Sequence, residues 1–285
     1  MKIRWYISMP LKIILARIPF SHQFWYKIGI FKHGNMQDFK YARGVFERHL
    51  QFAGVQLQGK KNEQTILELG PGESLFSALI AKSLSFQKIY LIDVGAFNIP
   101  GIDVYKDFAH WLNNEGLKCP SIDAYTSMES MLHALDTAYL TNGLHSFDNI
   151  PDNSVDFIFS NAVLEHIRKA DFEQTIRACW RVLKPGGVCT HAVDFKDHLE
   201  ESINNLRFSE RFWENNWVAS SGFYTNRIRF CEMQQIFTQC GFQVKVIYKR
   251  EWPVLPVGKK ALSPSFSALP DEDLLVSGAT FLLTK

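Results

Sequence analysis

The stretch THAVDFKDHL, residues 190–199, brings two histidines and two aspartates within eight positions. His191 lies on an apolar run that reads as a strand, and Asp194 falls at the carboxyl end of that run. If a helix begins there, Asp194, Asp197 and His198 stand at i, i+3 and i+4 on one face. Such a set can act as a histidine–carboxylate base that takes a proton from a hydroxyl. It can also supply two or three ligands to a divalent cation, or be an aspartate helix cap with a solvated charged face. His166, in VLEHI, is a second base candidate at the start of a helix, with plain packing as its alternative. In GFYTNRIR, residues 222–229, Tyr224 and Arg227 could approach an acceptor molecule, while Thr225 or Asn226 would cap a helix.

A different chemistry is suggested by LELGPGES, residues 67–74. Gly70 and Gly72 follow Glu68 at the end of an apolar run, where glycines let the backbone turn tightly and approach a ligand. A dinucleotide turn would read G-x-G-x-x-G/A, and here the third small position is Leu75. Asp93 ends the next apolar run, 21 residues beyond Gly72, where a carboxylate can accept two hydrogen bonds from a ribose diol. The alternative for Asp93 is a solvated turn at a strand end.

The elements that must hold these residues alternate. TILELG, KIYLIDV, SVDFIFSNA, VCTHAV, QVKVIY and SGATFLLT read as strands. ESLFSALIAKSL, DFEQTIRACWRVL and FCEMQQIFTQCGF carry helical spacing, and Lys184-Pro185-Gly186-Gly187 stops the second of them. Residues 99–137 read as a helical insertion. Strands alternating with helices predict an α/β fold with a mostly parallel sheet covered on both faces. Ahead of it, residues 36–54 read as a helix closing near Gly54, and Ser8 is expected to cap a short helix with Pro10 in its first turn and Pro19 at its end. This divides the chain into a helical cap over residues 1–60 and a main domain over 61–285.

A chain of 285 residues with 46% apolar and 21% charged residues has the composition of an ordinary globular protein. A net charge of +2 makes no case for nucleic acid. The charge is uneven: residues 1–49 hold nine lysines and arginines against Asp38 and Glu47, an asymmetry that suits an anionic surface or partner. The five scattered cysteines form no C-x-x-C pair, which fits a reducing cytoplasm and suggests neither disulfides nor zinc. No apolar run approaches the roughly 20 residues of a membrane span, and Ile13-Ile14-Leu15-Ala16 is too short for a signal peptide.

With its motifs in order, the chain resembles the class I S-adenosylmethionine-dependent methyltransferases. The matching pieces are ILELGPGES (66–74), IYLIDV (89–94), IPDNSVDFIFSNAVLEHI (150–167) and RVLKPGGV (181–188). The resemblance implies a Rossmann-like, doubly wound seven-stranded sheet with an antiparallel last strand. It implies S-adenosylmethionine as cofactor, with Glu68, Gly70, Pro71 and Gly72 flanking its methionine part. Asp93 and Val94 would stand at the ribose, Leu144 and His145 near the adenine, and Asn161 on the cofactor floor. Ser74 replaces the third glycine of the family's G-x-G-x-G, and no acidic residue stands near Leu144. The absence of N-P-P-Y and D-P-P-Y after the fourth strand argues against a nucleobase amine as acceptor.

The H-x-x-D-x-x-D-H pattern after K-P-G-G, followed by FYTNR, looks similar to methyltransferases associated with bacterial surface-polysaccharide assembly. It implies a sugar hydroxyl in a glycan or related small molecule as acceptor, which could be lipid-linked, with His191 and Asp194 as base. Transfer to nitrogen or carbon of a small metabolite or lipid is the second enzyme expectation. A catalytically idle nucleoside-binding scaffold is the reading from another class, and a dehydrogenase is the weakest because of Leu75. Trp5-Tyr6 and Phe24-Trp25-Tyr26, interspersed with cations, allow either a cap that packs on the core or a peripheral contact with a membrane through residues 1–30. The expected location is the cytoplasm, with the inner face of the membrane as an alternative.

Overall fold

A computed structural model describes residues 4–15, 17, 35–54, 57, 60–98 and 100–285. Its centre is a sheet of seven strands in the order β3-β2-β1-β4-β5-β7-β6. The strands are β1 (Thr65–Leu69), β2 (Lys88–Ile92), β3 (Thr137–Leu140), β4 (Val155–Asn161), β5 (Leu183–Asp194), β6 (Gln243–Glu251) and β7 (Val276–Thr284). The first five pair in parallel. β7 slots between β5 and β6 and runs antiparallel to both. The fold is therefore the Rossmann-like α/β sheet with an antiparallel last strand.

The sheet forms because its strands bury both faces. In β4, Phe157 and Phe159 point to one core, and Val155 and Ile158 to the other. In β1, Ile66 serves the first core and Leu67 and Leu69 the second. Such strands read as unbroken apolar runs. Emptying the Phe159 position to alanine would cost about 3–5 kcal/mol, the usual range for a buried aromatic.

One face is covered by α2 (Phe39–Ala53), α3 (Phe76–Ser83) and α4 (Ile102–Asn114). α1 spans Trp5–Leu15. α2 starts at Asp38, whose side chain accepts from the Tyr41 amide, and ends at Gly54. α5 (Met128–Ala134) completes the helical stretch before β3. The opposite face carries α6 (Lys169–Val182) and, beyond two short helices α7 (Glu210–Trp213) and α8 (Asn216–Ala219), the helix α9 (Phe230–Gln239).

The structure moves several local expectations. Ser8 lies inside α1 rather than at its cap, with its hydroxyl on the Trp5 carbonyl. Pro10 also sits within that helix, and Pro19 and the aromatic trio at 24–26 lie outside the described residues. Lys184–Gly187 does not close α6. That helix ends at Val182, and the four residues form a bulge at the start of β5, where pairing jumps from Val155↔Leu183 to Phe157↔Val188. Asp194–His198 forms no helix. β5 ends at Asp194 and an irregular segment follows to Arg229, interrupted by α7, α8 and a short 3-10 turn at Asn204–Arg207.

Candidate active site

The parallel strands end together on one edge of the sheet, which is where open α/β sheets take ligands. Glu68 and Asp93 lie at the ends of β1 and β2, Asn161 at the end of β4 and Asp194 at the end of β5. The glycine turn follows β1 directly. Gly70 has φ +67°, and a Cβ placed there would come within 2.4 Å of Val163 in the loop after β4. No side chain fits at that position.

Asp93 is held by the turn it faces. One carboxylate oxygen accepts from the Gly72 amide at 3.1 Å and the other from the Val94 amide at 2.8 Å. Burial raises its pKa, and those two amide bonds work against the rise. Each oxygen keeps a lone pair for a further donor. Glu68 is 3% exposed, and burial pushes its carboxyl up to about 8 against a hydrogen bond from Ser77. Its second oxygen, Oε2, has no partner among the described residues. An orphaned buried carboxyl oxygen beside a glycine cradle fits a ligand that brings its own donor, such as an ammonium group.

Supports reach this turn from elements whose part is not evident in the motif. The Tyr105 hydroxyl on α4 accepts from the Leu75 amide at 2.8 Å. Ser74 donates to the Met36 carbonyl at 2.5 Å. His49, on the inner face of α2, reaches through to Thr190 at 2.9 Å and hydrogen-bonds Asn161. Burial lowers His49 to about 4, so it is a neutral polar strut under the Asn161 floor. The sequence carried a signal for it: Ala42, Val45, Phe46, His49 and Ala53 form one helical stripe, and all are buried.

The adenine-side expectations land on the loop after β3. Leu144 packs partly into the second core, and Gly143, beside it, donates its amide to the Asp93 carbonyl at 2.9 Å. His145 is exposed, 3.7 Å from the carboxylate of Asp148. Val94 is likewise exposed and lies against Gly143.

The proposed base residues separate. His191 has no exposed surface. It points into the sheet, with Nδ1 on the Ser160 hydroxyl at 2.8 Å and its ring over Phe237. Burial and the neighbouring His49 lower its pKa to about 3. A ring three residues inside a central strand, covered on both faces, does not reach an acceptor. Asp197 is also turned inward, accepting from the Leu199, Glu200 and Asn204 amides to fold the loop. It shares no face with Asp194 and His198, and no group of metal-ligating residues is found among the described residues.

His166 and His198 are brought together instead. Their Nε2 atoms are 3.2 Å apart and their rings stack at 4.9 Å and 12°. His166 Nδ1 lies 2.9 Å from the Tyr224 carbonyl, which can only accept, so Nδ1 carries the proton. Neutral His166 then presents a bare Nε2, and the 3.2 Å contact requires His198 to donate from its own Nε2. In a neutral His198 the basic nitrogen is Nδ1. Burial and His198 lower His166 to about 4, against the Tyr224 carbonyl and the Asp194 carboxylate. Glu165, beside it, accepts from the Asp194 amide at 3.1 Å and is pushed up to about 8 by burial. It ties the ends of β4 and β5 into one platform.

Tyr224 and Arg227 are structural where an acceptor contact was expected. The Tyr224 hydroxyl donates to Glu214 at 2.9 Å. The Arg227 guanidinium pairs with Glu210 at 2.5 Å and donates to the Phe208 carbonyl at 2.7 Å, with no exposed side-chain surface. Neither Thr225 nor Asn226 caps α9, whose N-cap is Arg229. Asn226 clamps the loop after β4 by donating to the Leu164 and Ile167 carbonyls. A groove of about 320 Å³ between α6 and α9 is lined by Lys169, Glu173 and Glu232. It lies on the helical flank and contains none of the strand-end residues.

Residues 105–190 match a family model described as a methyltransferase domain. No curated protein sequence matches the chain. Among solved structures, the YcgJ protein of Bacillus subtilis is similar at 15% identity and TM-score 0.47, over 85% of this chain and 98% of that one. An S-adenosylmethionine-dependent methyltransferase of Archaeoglobus fulgidus is similar at 12% identity and TM-score 0.46, over 93% and 100%. A phosphoethanolamine N-methyltransferase of Haemonchus contortus, solved with S-adenosylhomocysteine, is similar at 15% and 0.46, over 85% of this chain and 52% of that one. Beside the sheet order and the glycine turn with its two carboxyls, the matched segment marks a methyltransferase domain within this chain.

Proposed function

We propose that the protein methylates a hydroxyl of a glycan or related small molecule, with the acceptor seated over the ends of β4 and β5. The observation that carries this reading is the stacked His166–His198 pair at that edge. A hydroxyl is a poor nucleophile until its proton is taken, whereas many nitrogen acceptors need no base. S-adenosylmethionine, when bound, would supply an electrophilic methyl group on a sulfonium, so in-line positioning would account for much of the rate.

The chain's own part is proton handling. His198 takes the hydroxyl proton. The positive charge that appears on its ring is shared across the Nε2 contact with His166. The Tyr224 carbonyl fixes the His166 tautomer, and the Asp194 carboxylate favours charge on the pair. His191 and Asp197 take no part in this scheme, and Asp194 acts through its field. Glu68, Gly70, Pro71, Gly72, Asp93 and Asn161 hold the cofactor in this reading, with Val94, Leu144 and His145 along its nucleoside end.

Incubation with methyl-labelled S-adenosylmethionine and separated lipid, glycan and small-molecule fractions tests the acceptor class. Label is expected in an alkali-stable ether of a hydroxylated fraction. With that acceptor, His198→Ala should lower kcat by about 100-fold or more while leaving S-adenosylhomocysteine affinity unchanged. Label on nitrogen or carbon, or full turnover by His198→Ala, would overturn the hydroxyl reading.

A further inference from the structure

The outward face of α1 is apolar. On a surface helix the charged residues usually face water and the apolar stripe faces the core. α1 is apolar on both sides: Met9 and Ile13 pack inward, while Tyr6, Ile7, Leu11 and Ile14 are exposed. Ile7, Leu11 and Ile14 stand at i, i+4 and i+7 on one side, with Ile7 53% and Ile14 63% exposed. Pro10, also exposed, lies between them.

The helix is tied down by its polar groups. The Trp5 amide donates to Glu200, and Lys12 Nζ donates to the His198 carbonyl at 2.9 Å. Met9 packs with Trp213, Val218, Phe223 and Tyr224. The apolar side is therefore held outward by a fixed base. Next to it, α7 and α8 expose Phe212 and Trp217, the latter 65% exposed with the Arg17 guanidinium 4.8 Å over its ring. The result is a ridge of aliphatic and aromatic side chains on the acceptor-side segment.

The charge around the ridge selects its occupant. Among the described residues of α1 and its flanks, Arg4, Lys12 and Arg17 are cationic and none is acidic. Arg4 is exposed at the start of α1 and Arg211 beside Phe212. Apolar and aromatic side chains with arginines beside them are the composition of a helix lying in an anionic lipid interface. No helix among the described residues is long and apolar enough to cross a membrane, so the contact is peripheral.

We infer that α1, with Phe212 and Trp217, docks this protein on an anionic lipid surface. The inference does not depend on which acceptor is methylated. It is tested by floating the full chain with phosphatidylcholine vesicles, with and without phosphatidylglycerol. The parent should float with the anionic vesicles, and less so as salt is raised. Ile7→Glu/Leu11→Glu/Ile14→Glu should lower that partition by at least about tenfold, since it removes apolar burial and adds repulsion. These positions are exposed, so the thermal midpoint should be retained, and Trp217→Ala gives a milder second variant with a smaller loss. Failure of the parent to float, or equal flotation of the triple variant, overturns the inference. A concentration-dependent dimer that the triple variant dissociates, without vesicle binding, assigns the face to a second copy and also overturns it.

Discussion

Glu68 connects the empty side of a carboxyl to the chemistry of the ligand. Burial holds it up to about 8, so near neutral pH it is mostly protonated in the free protein. A cationic group brought against Oε2, which has no partner among the described residues, favours the carboxylate, and the proton must then leave. Binding of S-adenosylmethionine is therefore expected to release a fraction of a proton at pH 7, and affinity should rise toward pH 8. Calorimetry in buffers of different ionisation heat reads this directly, and Glu68→Gln should abolish the release and weaken binding by about tenfold. Asp93 makes a separate contribution. Asp93→Ala removes the acceptor for the Gly72 and Val94 amides as well as for a ribose diol, and cofactor affinity should fall by about 10- to 100-fold.

At the scale of elements, the first βα turn is fixed from two sides. Gly70 needs a positive φ and has Val163 where a Cβ would go. Gly70→Ala should cost about 1–3 kcal/mol in urea unfolding, with strain and overpacking both contributing. Adding Val163→Ala relieves the clash but not the dihedral, so only part of that loss should return. The strands and helices around this turn were legible because parallel strands buried on both faces leave plain apolar runs, and α6 and α9 keep their helical period. The acceptor side was not. Residues 195–229 have no period to read, and Asp197 folds that loop by accepting three amides instead of sharing a helix face. His191 sits in the interior of a central strand, a position that covered sheets bury, and the motif hid that placement. Thr190 and His191 serve opposite faces, one meeting His49 and the other Ser160. His166 and His198 are 32 residues apart in sequence and meet only because β4 and β5 are adjacent.

At the scale of the whole molecule, the buried ionisable groups set opposing pH limits. His49 and His166 are lowered to about 4 and His191 to about 3, each chiefly by burial. Below the ordinary histidine value of 6.5 the unfolded chain takes up protons that the fold refuses, so stability falls as the pH drops from there toward 4. Glu68 and Glu165 act in the other direction. Raised from 4.5 to about 8, they keep protons that the unfolded chain releases, so their effect lowers stability as the pH rises between those values. Above 6.5 the three histidines no longer differ between the two states, and the glutamates alone remain of these five groups. The cofactor-free protein should therefore lose roughly 1–3 kcal/mol between pH 6.5 and 8, well under the ideal linkage value because partial opening lets water reach the carboxyls. Glu68→Gln/Glu165→Gln keeps the acceptor oxygens for Ser77 and for the Asp194 amide but removes the titration. Urea midpoints of the double variant should be flat across that window while those of the parent fall. A parent that is equally stable at both ends would show that the two carboxyls are not protonated in the fold.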